Sequence, residues 1–526
     1  MNFFSFLPRI GMSPIAKTLL LVGGLLAIVL PIGSVSGLFP LGLSDFIFLF
    51  VITSLFAAYR PGWALLLLVS VLPIEIIDLA PDTLGLGIRP YQFLTAAIFL
   101  GLGIRFVARR EMPGMPRIAP ADVLLALIPI GSLIAALNAP DPGASLRLSL
   151  ILFSFYAIYI LIRIYIRSSE DVSRVLPFFL LSAGITALIA ILQNVLFLLG
   201  TESYEVMPGR PNALFAEADW LGMFLVLFAT VLLVSMYRFA RDKAPTGSIL
   251  SMKRSTYLIL GLVLCLTALI LSVSRSAWLG MIVTIIILSV LPATRGMARP
   301  AILPLTVFIL SGIVALVIAF RVPLTNFDLS GRAESIGSGA QTITISCQDM
   351  TALPERIGSV AELAPLGCRH INLEEIPIEL DAGRFVAEID RDDPNVSIRR
   401  DIYFRSIDEI RAHPILGIGW GSITRSLGTD PSGTGLNASN VFLEVWLGSG
   451  LLGLIGLLGT FGYLAFVASR DFFRNGGSFP LFLISAFAGL VVFDLFNSGI
   501  LLGFFWVLLG IAGSYLSREE PFTDTL

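Results

Sequence analysis

The sequence predicts an all-α polytopic membrane protein, with about 12–14 transmembrane helices and one large extracytoplasmic loop. Three observations predict it. The chain is 526 residues long, 56% hydrophobic and only 14% charged, far more apolar surface than a soluble fold of this size buries in its core. Its apolar runs are mostly about 18 to 22 residues long, which at about 1.5 Å per residue spans a hydrocarbon core of about 30 Å. The basic residues fall in alternate loops between those runs. Segments such as 258–271 and 281–291 do not alternate in polarity, which excludes a β-barrel.

Reading apolar runs between charged or Pro/Gly-rich breaks places spans near 17–36, 41–58, 62–78, 90–108, 121–138, 147–166, 175–199, 219–237, 256–273, 276–294, 301–320, 441–468, 479–496 and 499–516. Arg9 and Lys17 precede the first run, but no small-residue cleavage site follows, so it reads as a retained span. With both termini cytoplasmic, one set of short connections carries Arg105, Arg109, Arg110, Arg117, Arg163, Arg167, Arg174, Arg238, Arg241, Lys243, Lys253, Arg254, Arg295, Arg299, Arg470 and Arg474. The opposite set holds only Arg89, Arg147, Arg210 and Arg275, which makes the first side cytoplasmic. The chain then divides into N-terminal helices (1–200), helices with outward arginine loops (201–321), a large extracytoplasmic loop (322–437) and C-terminal helices (438–526).

The long loop is the connection richest in charge, and connections of that length usually carry function. Within it, Ile402, Phe404, Ile407 and Ile410 recur at helical spacing between charged residues, an amphipathic stretch suited to a membrane surface. Cys347 and Cys368 lie in the loop and Cys265 in a span. An oxidising compartment favours a Cys347–Cys368 disulfide; the alternative is two free thiols. Scattered basic residues give no nucleic-acid surface, and no phosphate-cradling glycine loop suggests ATP or a dinucleotide. Two histidines, His370 and His413, with no Cys/His cluster argue against zinc. Asp390, Asp392 and Asp393 read as a solvated loop face in preference to a cation site. No cofactor is expected.

Asp45, Glu75, Asp78, Glu444 and Asp494 all map to the outer ends of spans, which favours a site opening outward over the midplane site of a carrier. Taken singly, each carboxylate is explained by access to water. Arg210 and Arg275 lie where the charge bias leaves few cations, so anionic partners are expected. Those partners are either a diphosphate or, more simply, lipid headgroups for Arg275 and Glu205 or Glu217 for Arg210. Glycines at 448, 450, 453, 456, 459 and 462 read as close helix packing, and Gly417–Gly421 as a turn toward the next helix.

Four segments, in order, resemble the O-antigen ligase and polymerase family: Gly209–Gly222 (GRPNALFAEADWLG), Ser272–Gly280 (SVSRSAWLG), Arg399–Phe404 (RRDIYF) running on to His413–Gly421 (HPILGIGWG), and Asn440–Gly456 (NVFLEVWLGSGLLGLIG). The resemblance implies transfer of a glycan from a polyprenyl-diphosphate carrier to a glycan or lipid acceptor hydroxyl, at the outer face of a bacterial inner membrane, without a nucleotide sugar. It implies diphosphate binding by Arg210 and Arg275, with Arg399 or Arg400 as a third. Where ligases of the family carry a His before the Asn of the last segment, this chain has Ser439, so either another group such as Glu444 or His413 serves as base, or polymerisation proceeds with less need of one, or catalysis is lost. The region near 341–395 is an insertion relative to that pattern. Other classes consistent with the residues are a small-anion transporter, with the arginines as entry site, and a noncatalytic glycan-binding subunit, for which Ser439 speaks.

Overall fold

A computed structural model describes residues 13–207, 209–241, 249–321, 340–348, 353–354, 356–358, 360–371, 376–392, 394–429 and 435–517. Arg9, Lys243 and Asp393 lie outside them. Every expected apolar run carries a helix, though that of 62–78 is helical over only part of its length. The helices are α1 (Pro14–Val35), α2 (Leu43–Tyr59), α3 (Pro61–Ser70), α4 (Pro90–Val107), α5 (Pro120–Leu137), α6 (Pro142–Tyr165), α7 (Ser169–Leu198), α8 (Ala218–Arg241), α9 (Ile249–Leu271), α10 (Arg275–Thr294) and α11 (Ala298–Arg321). In the long loop and its exit come α12 (Ile376–Asp381), α13 (Pro394–Ala412) and α14 (Ile423–Leu427), followed by α15 (Val441–Asn475), α16 (Ser478–Asp494) and α17 (Gly503–Leu516). Among the described residues, nine helices are long and apolar enough to cross a membrane, and five shorter apolar helices stand among them. Hydrocarbon offers backbone N–H and C=O groups no partner, so these stretches must bond internally.

The helix starts follow local chemistry more than hydropathy. Proline occupies the first position of α1, α3, α4, α5 and α6, where its missing N–H costs nothing. Asp141 accepts from Ala144 N and Ser168 from Asp171 N, so α6 and α7 begin five and six residues ahead of the apolar runs at 147 and 175.

The expected span 62–78 is corrected by the structure. Its helix stops at Ser70 ahead of Pro73, and the chain from Val71 to Ala80 is nonhelical yet buried almost throughout. Its backbone groups find partners elsewhere, with Glu75 N and Ile76 N donating to Leu214 O at 2.8 and 3.0 Å and Leu79 N to Ile88 O at 2.9 Å.

One end of the helical unit is held by cations on carbonyl groups, with Arg105 on Ala58 O, Arg295 on Phe472 O and Arg241 on Gly476 O. Arg163, expected as a loop cation, is instead 2% exposed. Its Nε and Nη2 donate to the Asp122 carboxylate at 2.9 Å, and Nη2 also to Arg117 O at 2.7 Å. The position sits at the packed end of α6, where a charge is held only with a partner.

The chain forms two compact units, residues 1–325 with 409–526, and residues 326–408. The second contains a four-stranded sheet that the apolar pattern gave no sign of, β1 (Ala340–Cys347), β2 (Arg356–Ile357), β3 (Cys368–His370) and β4 (Phe385–Asp392), in the order β2-β4-β1-β3. Ile343, Ile345, Ile357, Leu363 and Ile389 form its core. Cys347 and Cys368 are directly paired across β1 and β3 and joined by a disulfide. The short α12 (Ile376–Asp381) carries Glu379, whose carboxyl is held below its ordinary range by the Ser346 hydroxyl first and by Arg369 beside it. The helix α13 (Pro394–Ala412) covers the amphipathic stretch, but its apolar residues divide: Ile402 and Ile410 are buried, Phe404 and Ile407 exposed.

Asp122→Leu leaves the Arg163 charge uncompensated and is expected to destabilise the protein by about 3–5 kcal/mol, whereas adding Arg163→Met recovers most of the loss. Thermal melting in detergent reads both; a single variant that melts with the wild type contradicts the assignment.

Candidate functional site

At the other end of the helical unit, the loop ahead of α8 is held in a fixed shape by side chains on its neighbours. Gln193 of α7 accepts from Ala213 N at 2.7 Å and donates to Tyr204 O at 3.2 Å. Phe215 packs against the rings of Phe224 and Phe504, with centroids 5.4 and 6.1 Å away. Glu205 accepts from Gly209 N at 2.7 Å. The loop therefore presents Arg210 in one place. Its Nε donates to Ser272 O at 2.8 Å and its Nη2 to the Asp219 carboxylate at 2.9 Å. Among the described residues Nη1 has no hydrogen-bond partner. The salt bridge to Asp219 replaces the expected pairing with Glu205 or Glu217.

Asp219 also accepts from the Ser274 hydroxyl at 2.5 Å, so one carboxylate ties Arg210 to the turn that begins α10. A Cβ on Gly222 would fall 2.7 Å from the Ala277 methyl, and the missing side chain is what lets α8 and α10 approach there. Arg275 is the first residue of α10, directly after Ser274, and is half-buried. Next to it, Ser276 Oγ accepts from Asn497 Nδ2 at 2.7 Å, which brings in the α16–α17 connection.

A set of carboxylates stands beside this network. Asn440 caps α15, accepting from Phe442 N and Leu443 N at 3.0 and 3.2 Å and donating to Leu495 O at 3.1 Å. Glu444, in the first turn, is 7% exposed, with Ser498 beside it. Neither Glu444 Oε2 nor Ser498 Oγ completes a hydrogen bond of good geometry. Asp494, at the end of α16, is fully buried; Oδ1 accepts from Gly499 N at 2.9 Å and Oδ2 has no partner. Glu217 lies within electrostatic reach of Glu444, and Glu444 within reach of Asp494. Glu217 itself is solvent-exposed, yet surrounding protein pushes its carboxyl up to about 7, with Asp219 adding to the effect and Arg210 opposing it. Among the described residues, no group of three or more His, Cys, Asp or Glu side chains is arranged to hold a metal ion.

His413 is exposed at the exit of α13, and the residues after it insert at a break in α15. Gly450, at φ 65° and ψ −169°, leaves the helical conformation. Leu451 N is then free to donate to Ile415 O at 2.9 Å, while Leu447 O accepts from Ile418 N at 2.8 Å. A Cβ on Gly448 would sit 2.4 Å from the Trp420 ring, and one on Gly421 2.3 Å from Ser145 N. The two glycine motifs thus explain each other, since one turn docks into the kink of the other's helix. Pro414 O accepts from Trp446 Nε1 at 2.8 Å. Residues two apart on a helix project about 200° apart, so Trp446 leaves α15 on the side opposite Glu444. His413 and Glu444 therefore belong to different surroundings. Arg399 and Arg400 are on α13 in the second unit. Ser439 adopts φ 47°, and its N–H and hydroxyl both donate to Asn437 Oδ1, at 2.9 and 3.2 Å.

A second polar cluster at this end is closed on itself. Glu75 accepts two hydrogen bonds from Tyr91 Oη, at 2.9 and 2.8 Å, and one from Gly503 N at 3.2 Å; Arg89 stands 3.7 Å away and also pairs with Asp78. It braces the nonhelical segment after α3 against α4 and α17.

With this geometry in view, residues 260–458 match the family model described as O-antigen ligase. Those residues form an O-antigen ligase domain. The domain contains Arg275, Arg399, Arg400, His413, Ser439 and Glu444, while Arg210, Glu217, Asp494 and Asn497 lie outside it. No curated protein matches the chain. A multi-pass helical scaffold with an O-antigen ligase domain gives the chain a role in membrane glycan assembly. The sequence singles out Arg210, Arg275, Glu444 and Asp494 and offers Glu217 as a partner of Arg210, but gives no sign of Ser498 or Asn497. The available signal was that Asp494 and Glu444 end their helices on the same side.

The raised Glu217 carboxyl has a consequence for stability. From its ordinary 4.5 up to about 7, the folded protein keeps a proton that the unfolded chain has released, so stability falls as pH rises through that window. Melting at about pH 5 and about pH 8 is expected to show a smaller difference in Glu217→Gln than in the wild type; equal differences contradict the placement of Glu217.

Proposed function

We propose that this O-antigen ligase domain protein transfers glycan from a polyprenyl-diphosphate carrier to an acceptor hydroxyl, polymerising or ligating surface polysaccharide at the outer face of a bacterial inner membrane. The observation that carries the reading is the Arg210 latch. A guanidinium with one uncommitted nitrogen is tied through Asp219 and Ser274 to the turn that begins with Arg275, inside the O-antigen ligase match.

In this reading the termini are cytoplasmic, and Arg210 and Arg275 face the outer side, where the carrier presents its diphosphate. Cleavage of the glycosyl–phosphate bond leaves an electron pair on the diphosphate, and fixed guanidinium groups stabilise that charge as it forms. The acceptor oxygen attacks the anomeric carbon as its proton passes to a base. Glu444 fits that role better than His413 does, because it lies one turn inside the helix capped by Asn440, on the same end of the bundle as Arg210, and carries an unpartnered oxygen. Donor energy comes from the diphosphate linkage, so no nucleotide enters the step.

A noncatalytic glycan-binding role is favoured by one observation, Ser439 at the position of the family's His. A single assay separates the two. Purified protein in lipid nanodiscs, given a polyprenyl-diphosphate oligosaccharide, is expected to release the carrier diphosphate and form extended or transferred glycan. Arg275→Ala is expected to lower the rate by about 10²–10³-fold, and Arg275→Lys to restore little of it because the planar fork is lost. Binding without product in the wild type supports the noncatalytic role instead.

A further inference from the structure

The carboxylates beside the Arg210 latch are more numerous than one base requires, and their order from interior to surface carries meaning. Asp494 is fully buried with one oxygen unpartnered, Glu444 is 7% exposed with one oxygen unpartnered, and Glu217 is open to solvent. Buried unpartnered carboxylate oxygens are costly, and a packed helix end does not keep two of them without use. A buried hydroxyl, Ser498 Oγ, lies beside Glu444 and is itself unpartnered, an observation independent of the acidic residues. A shared metal ion does not account for them, since the described side chains offer no such ligand set. Carboxylates close enough to feel each other's charge, yet not converging on one ion, share protons.

We propose that Glu217, Glu444 and Asp494 form a carboxylate relay that takes up the proton of the acceptor hydroxyl and hands it to the outer solution, with Glu444 meeting the hydroxyl, Asp494 and Ser498 positioning it and Glu217 serving as the exit. The proposal rests on the transfer reading above. The acceptor O–H proton moves to Glu444 as the acceptor oxygen bonds to the anomeric carbon; the bond from that carbon to the diphosphate oxygen breaks, and its electron pair leaves with the diphosphate. The proton then passes from Glu444 to Glu217 and into water, which returns the relay to its starting charge. Asp494 stands behind Glu444 and is coupled to its proton equilibrium. Ser498 fixes the orientation of Glu444. Arg210 and Asp219 lie within electrostatic reach of Glu217 and carry opposite charges, so the exit feels both. The relay supplies from three carboxylates what the family's His would supply at the position of Ser439.

The test uses the full chain in lipid nanodiscs and two readouts. Infrared titration from about pH 4 to about pH 9 follows the C=O stretch of protonated carboxyls. Removal of one member of a coupled set, by Glu217→Gln or by Asp494→Asn, is expected to move the midpoint of those remaining by about one pH unit or more. Asp494→Asn keeps the oxygen that accepts from Gly499 N, and Glu217 is solvent-exposed, so one variant or the other retains the fold. The second readout is the pH profile of glycan transfer from a polyprenyl-diphosphate oligosaccharide. Glu444→Gln is expected to lower transfer by about 10²-fold or more at every pH, while Asp494→Asn moves the acidic limb of the profile. Independent titrations in the variants, or transfer that persists with an unmoved limb, overturn the relay and leave the transfer reading intact. Absence of any transfer by the wild type overturns both.

Discussion

Hydrocarbon accepts no hydrogen bond, and that constraint governs the protein. It forces the apolar runs into helices, drives charge to the two ends of the bundle, and makes every irregular segment answer for its backbone groups. The stretch from Val71 to Ala80 is tolerated because Leu214 and Ile88 carbonyls receive its N–H groups. The kink at Gly450 is tolerated because the chain from Ile415 to Gly419 docks into it. The two helix breaks are thus filled by protein, and each brings a loop to the helix ends.

The same constraint shapes the candidate site. Each member is a helix terminus or the residue beside one: Asp219 and Glu217 at the start of α8, Ser274 and Arg275 at the start of α10, Asn440 and Glu444 at the start of α15, Asp494 at the end of α16. Convergence of these termini concentrates polar groups at one end of the helical unit, while the helix bodies below remain apolar. Arg210 is half committed to this scaffold. Two of its nitrogens hold the loop to Asp219 and Ser272, and that geometry fixes the position of the third.

The helices were legible in the sequence because burial in lipid leaves a signal that depends on length and composition alone. Their starts were less so, since Asp141 and Ser168 begin helices within polar sequence through hydrogen bonds that hydropathy does not register. The sheet of the second unit was missed for a related reason. Two of its strands span only two and three residues, and its core combines residues from five separate segments, none of which is apolar enough to stand out. Arg210, Arg275 and Glu444 were found because their charges are out of place by position. Asp494 carries the same signal of position, whereas Ser498 and Asn497 join them only through folding, and no local pattern encodes that meeting. The Arg210–Asp219 pair was equally hidden, because Glu205 and Glu217 offered carboxylates at comparable distance along the chain.

The account stands on guanidinium groups that recognise a carrier's two phosphates. Affinity of the purified protein for a polyprenyl diphosphate and for the matching polyprenyl monophosphate measures this most directly. The expected result is a preference for the diphosphate of about tenfold or more, equivalent to about 1.4 kcal/mol, that disappears in Arg210→Ala and in Arg275→Ala. Equal binding of the two lipids, unchanged in both variants, contradicts it.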